Sequence, residues 1–196
     1  IKLNDTDPVS VGAKNSPARV AGSRIVKQGT IQSELEFDVE LKNRTDIIPS
    51  KILLAFPRSK SWMQIDWSIN DANGTIAQCG VDLNLHIADS PTLVDFGAGS
   101  LVYAPLAPRQ TVVLKGTKGL WDVLRGTPEH LEPYVVQSET FSPPAEGWAH
   151  VMDKDRCTAI SVAEFAKDGA DLIRVDADGR TQVMRQFVPA KTTSKS

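Results

Sequence analysis

The sequence predicts an all-β protein: a large antiparallel β-sandwich, supersandwich-like, with little helix. Three observations carry this prediction. Apolar residues alternate with polar ones along several runs, the period of a half-buried strand. Turn residues separate most of these runs by about ten residues, the spacing of a sandwich or barrel. Helical periodicity is scarce. Residues 162–167 could make one helical turn, but the β-branched approach from Thr158 favours a strand.

The elements follow in order. The first twenty residues are weakly patterned and predict at most a loosely attached strand. In residues 32–43, Leu35, Phe37, Val39 and Leu41 alternate with Glu34, Glu36, Asp38, Glu40 and Lys42, giving a strand with one wet face. Residues 51–57 form a short apolar run closed by Pro57. Met63, Ile65, Trp67 and Ile69 form an inward set opposite Trp62, Gln64, Asp66 and Ser68. The turn residues Asn70, Asp71, Asn73 and Gly74 predict a hairpin returning over residues 75–81. Further strands are expected at 83–87, 93–96, 101–104, 110–115, 121–124, 131–136, 148–152 and 158–165. Asp176, Asp178 and Gly179 predict a last hairpin between 172–176 and 181–187. The prolines at 49, 57, 91, 105, 108, 128, 133, 143 and 144 should sit at strand ends, where a missing N–H is tolerated. No break in composition divides the chain, so residues 1–188 are expected to form one sandwich, followed by a polar, disordered tail from 189 to 196.

Composition narrows the function. The 196 residues carry 22 basic and 24 acidic side chains, a net charge of −2. A dedicated nucleic-acid binder is usually strongly basic, so no nucleic-acid partner is expected. No stretch approaches the roughly 18 apolar residues of a membrane helix. Two cysteines are too few for a disulfide scaffold. Cys79 and Cys157 fit one disulfide or two buried thiols, and their strand-like surroundings favour thiols. The chain opens on Ile1 without a leader, as expected of a processed form or a piece of a longer protein. N-x-[ST] sequons at Asn4, Asn43 and Asn73 point to a secreted, extracellular glycoprotein, against chance occurrence in polar loops.

The densest chemistry lies in residues 146–157. On a strand, Glu146, Trp148, His150 and Met152 share one face. An indole can stack on the C–H face of a sugar ring, and the carboxylate and imidazole can bond its hydroxyls. The competing reading has Trp148 filling the rim of the core. Arg156 follows in a charged turn and could receive a uronate carboxylate. Trp62, with Arg58 and Lys60 just before it, is a second candidate for binding an acidic sugar. Other chemistry fails on spacing. Asp176, Asp178 and Gly179 lack the glutamate that completes a calcium loop. His86, His130 and His150 have no zinc-ligand spacing. The glycines at 97 and 99 lack a phosphate-loop frame and suit a tight strand connection. Neither metal nor cofactor is predicted.

Residues 146–153 with 156–159, and residues 92–100, resemble the β-sandwich region of exo-rhamnogalacturonan lyase-like carbohydrate-active proteins. The resemblance runs loosely from Leu35 to Phe187. It implies a polysaccharide or oligosaccharide partner, a polysaccharide lyase acting on acidic pectic glycans, and an adjoining helical toroid domain in the same protein. It assigns no catalytic residue. Such a lyase needs a group to neutralise the uronate and a base to take the neighbouring proton. Tyr103, Tyr134, His130, His150, Arg58 and Arg156 are the side chains available. An isolated domain of this kind would bind sugar or support a catalytic domain. The alternative is a non-enzymatic structural or protein-interaction sandwich.

Overall fold

The computed structural model describes residues 2–3, 18–43, 46–84, 92–98, 101–136, 143–167 and 169–187. The fold is all-β and sandwich-like, with three antiparallel sheets and no helix among the described residues. The strands are β1 (Lys2–Leu3), β2 (Ala18–Gln28), β3 (Gln32–Asn43), β4 (Asp46–Pro57), β5 (Gln64–Ile69), β6 (Gln78–Asn84), β7 (Thr92–Gly97) and β8 (Leu101–Leu106). They continue with β9 (Thr111–Thr117), β10 (Leu120–Thr127), β11 (His130–Val136), β12 (Trp148–Met152), β13 (Cys157–Ser161), β14 (Ala170–Asp176) and β15 (Arg180–Gln186). The chain divides into two compact units, one built on Ile1–Ala77 and one on Gln78–Val188. The tail expected from residue 189 lies outside the described residues.

The first unit holds a meander in the order β2-β3-β4-β5. The alternation seen in β3 sets its register. Leu35, Phe37, Val39 and Leu41 stand opposite Leu54, Ile52, Ser50 and Ile48, so apolar side chains meet on one face. The polar intruder Ser50 is buried and donates to the Val39 carbonyl at 3.1 Å. On the other face, Glu36 pairs with Arg24 and with Lys51, and Lys27 reaches Glu34. The bond from Lys51 to Glu36 raises the lysine pKa.

β2 is longer than its sequence suggests. Its register shifts between Val20 and Gly22 and again between Ile25 and Lys27, and two irregularities erase the alternation that would reveal a strand. β4 starts five residues before the expected run, and Pro49 lies inside it rather than at its end. Met63 is exposed and precedes β5, so the inward set reduces to Ile65, Trp67 and Ile69, all half-buried.

The turn after β5 forms as expected, but the hairpin does not. Asp71 accepts from the Ile76 N–H at 2.6 Å and from the Thr75 hydroxyl at 3.2 Å. This local capping closes the turn without committing the chain to pair with β5. The following strand, β6, pairs with β15 instead.

The second unit is built on two facing sheets. The larger runs β6-β15-β14-β9-β10-β11, and the smaller runs β13-β12-β7-β8. Their inner faces supply one core. Val94, Phe96, Val102, Ala104, Ala149 and Val151 come from the smaller sheet, and Val112, Leu114, Val123, Ile173 and Val175 from the larger. Each fully buried Val, Leu, Ile or Phe of this core contributes about 1.5–3 kcal/mol. Pro105 and Pro133 lie inside β8 and β11, contrary to expectation. Both strands are sheet edges, where a missing donor breaks no ladder, and Pro133 sits beside the register shift of β10 and β11.

The hairpin predicted at Asp176 to Gly179 joins β14 to β15. β13 ends at Ser161 and does not reach Phe165 as expected. Residues 163–166 instead form a turn with Glu164 and Ala166 at positive φ. Asp171 holds this turn, accepting from the Ala166 N–H at 2.7 Å and from two guanidinium nitrogens of Arg185 at 2.8 Å each. Arg185 also donates to the carbonyls of Ala163 and Glu164. Both cysteines are free. Cys79 is buried, as expected, but Cys157 is exposed because it falls on the outward row of β13.

Candidate functional site

The outward face of the smaller sheet gathers the chemistry. β12 sits between β13 and β7, and β8 closes the edge. Alternation sends Ala149 and Val151 into the core and turns Trp148, His150 and Met152 outward. In register, His150 stands opposite Asp95 on β7, and Asp95 stands opposite Tyr103 on β8. One row therefore reads His150, Asp95, Tyr103 across three strands.

Trp148 is seated on Gly97. A side chain at Gly97 would overlap the pyrrole ring of the indole, so only glycine lets the ring lie against the β7 backbone. The indole N–H donates to Glu146 at 2.5 Å. The His150 ring lies beside it, with centroids 4.6 Å apart and planes tilted by 36°. The chain around Trp148 is fixed from both sides. The Glu146 N–H donates to the Gly97 carbonyl at 2.7 Å, and the Val162 N–H donates to the Gly147 carbonyl at 2.8 Å. Gly147 has φ +75°, and a side chain there would overlap the Phe165 ring. The turn held by Asp171 and Arg185 thus presses Phe165 against the start of β12.

Asp95 is the unusual member. Its side chain is 7% exposed, while that of His150 is 42% exposed. One carboxylate oxygen lies 3.5 Å from Nδ1 of His150, and the other is buried without a hydrogen-bond partner among the described residues. A buried carboxylate is costly unless its acceptors are satisfied. Its nearest cationic candidate is the imidazole, which it biases toward the tautomer with a proton on Nδ1 and a lone pair on Nε2.

The predicted site residues divide clearly. Glu146, Trp148 and His150 come together. Arg156 does not join them: it lies at the β12–β13 hairpin, three residues beyond the partner of His150, or about 10 Å along the strand. Its N–H donates to Asp153 at 2.6 Å, as part of the hairpin turn. Trp62 is exposed and belongs to the first unit, ahead of β5.

Of the other candidates, Tyr103 joins the His150 row. Tyr134 donates to the Tyr103 carbonyl at 2.8 Å, and His130 pairs with Glu132 at the start of β11. Arg58 lies in the first unit. Asn73 is exposed in its turn, whereas Asn4, the Asn43 side chain and His86 lie outside what is described.

Sequence reasoning missed Asp95 and the role of Gly97. Asp95 had a signal: a lone carboxylate inside the apolar run Leu93, Val94, Phe96. Gly97 had none, because its partner is remote in sequence. Comparison of the chain with protein-family profiles, with curated proteins and with solved structures returns no match.

Proposed function

We propose that this chain is a secreted β-sandwich domain of a polysaccharide-degrading protein, resembling lyases of acidic pectic glycans such as rhamnogalacturonan. In this reading its own role is to hold sugar on the outer face of β7 and β12, or to support a catalytic domain there. One observation supports it most: the Trp148 indole is seated on Gly97 and flanked by Glu146 and His150. Such a platform stacks on a sugar ring, and the flanking acceptors bond its hydroxyls. The sequons support secretion and glycosylation. Among the described residues, the strands of this face carry no arginine or lysine, so the neutralising group a lyase needs would come from elsewhere in the protein.

The test is affinity electrophoresis of the chain through gels of pectic polysaccharide, with ultraviolet absorbance read for unsaturated product. Retardation is expected, and it should be lost in Trp148→Ala with the far-UV circular dichroism unchanged. A wild-type chain that is neither retarded nor yields product overturns the proposal. The alternative, a protein-interaction sandwich, draws on the edge strand β2, where Val20, Ile25 and Val26 are exposed.

A further inference from the structure

The charge around Trp148 specifies which kind of sugar this face accepts. None of the strands β7, β8, β12 and β13 carries a lysine or an arginine. The carboxylates beside the platform are Glu146, which holds the indole N–H, and Asp95, buried beside His150. Two carboxylates and one imidazole therefore supply the charge at this face. The local charge is −2 with the imidazole neutral and −1 with it protonated, by addition of these three groups. The hairpin residues Asp153, Lys154, Asp155 and Arg156 add two charges of each sign and do not offset this.

A ligand carboxylate placed here would meet like charge, with no lysine or arginine on these four strands to receive it, an arrangement that selects against the wrong partner. A neutral ring meets no such penalty. Its hydroxyls can donate to Glu146 and to the lone pair of His150, while its C–H face covers the indole.

We infer that the Trp148 face is a subsite for a neutral pyranose and rejects uronate rings. The inference rests on the glycan-binding reading above. In a polymer carrying both kinds of sugar, this face takes the neutral residue, and uronate carboxylates are left to other parts of the protein. Glu146 is its specificity residue. It sets the sign of the field at the ring edge and is exposed, so its charge can be removed without disturbing the core.

The experiment is a titration of the 196-residue chain, followed by amide and indole NMR shifts, with two probes. Methyl galactoside and the methyl glycoside of galacturonic acid share a ring and differ at C6. The galactoside is expected to bind at least about tenfold more tightly and to shift the Trp148 indole signal. Glu146→Gln should narrow that ratio by raising the affinity for the uronate. Trp148→Phe, which keeps an aromatic ring over Gly97, should weaken both. Equal or tighter binding of the uronate by the wild type overturns the inference. So does a preference for the galactoside that Glu146→Gln leaves unchanged. If pectic polysaccharide still retards the chain in either case, the glycan-binding reading stands and only the subsite assignment falls. If no glycan binds in any format, both fall.

Discussion

The second unit buries two aspartates in opposite ways. Asp171, on the larger sheet, is saturated from within the protein: two guanidinium nitrogens of Arg185 and the Ala166 N–H all donate to it. Asp95, on the smaller sheet, has the half-exposed His150 at 3.5 Å and one oxygen with no partner among the described residues. The first is a fastening. It fixes a turn with two positive-φ residues and, through Phe165, the entry to β12. The second departs from the rule that buried polar groups are paired. Such departures are expected where a surface serves a ligand better than it serves the fold. The charged face of the first unit cross-links Glu36 to Arg24 and Lys51, whereas the strands of the Trp148 face carry no lysine or arginine.

Breaking the saturated site should have the largest effect. Asp171→Asn leaves the half-buried Arg185 without its counter-ion and weakens the bond to the Ala166 N–H. Removing one member of a buried pair costs about 3–5 kcal/mol. We expect a loss toward the lower end, since Arg185 is partly exposed, read as a fall in the urea midpoint with an unchanged slope. A loss below about 1 kcal/mol would mean that the turn is held by packing alone, and the contrast with Asp95 would fail.

A smaller effect probes the same region by pH. Cys79 stands opposite Arg185 in the β6–β15 ladder, and burial pushes its thiol up to about 11 from an ordinary value of 9.0. The raised value means that the folded state holds the proton more tightly than the unfolded chain. Its contribution is fully present below pH 9.0 and is lost as the pH rises toward about 11. A rise of that size is worth about 2–3 kcal/mol of stability. Denaturation curves through that interval should show the loss, and Cys79→Ser should flatten it. The exposed Cys157 should react with a thiol reagent in the native state, while Cys79 reacts only on unfolding.

Much of this was legible in the sequence, and the exceptions have physical causes. β3 and β12 were readable because apolar and polar residues alternate along β3, and core and outward residues along β12, so the period of two survives. β2 was not, because two register irregularities shift its side chains out of phase. Pro105 and Pro133 misled for the opposite reason: an edge strand admits proline, and edges are set by sheet order, which no local pattern reports. The turn after β5 showed its capping aspartate but not the destination of the chain. At the candidate site, Glu146, Trp148 and His150 were readable as one face of one strand. Asp95 comes from β7, and the row it shares with His150 exists only through cross-strand register.

The smallest expected effect on stability is the sharpest test of the comparison. Asp95→Asn removes a buried carboxylate whose neighbour at 3.5 Å, His150, is half-exposed to water. No buried cation is stranded, so the penalty that follows Asp171→Asn has no counterpart here. The amide keeps the shape of the carboxylate and can still offer an oxygen to Nδ1 of His150. We expect the stability to stay within about 1 kcal/mol of the wild type, in either direction. The histidine should respond instead: NMR of the His150 ring should show a changed tautomer balance, because the carboxylate that biases the Nδ1 proton is gone. A loss matching that of Asp171→Asn, with the imidazole signals unmoved, would make Asp95 a second fastening. The outer face of β7 and β12 would then be ordinary sheet surface.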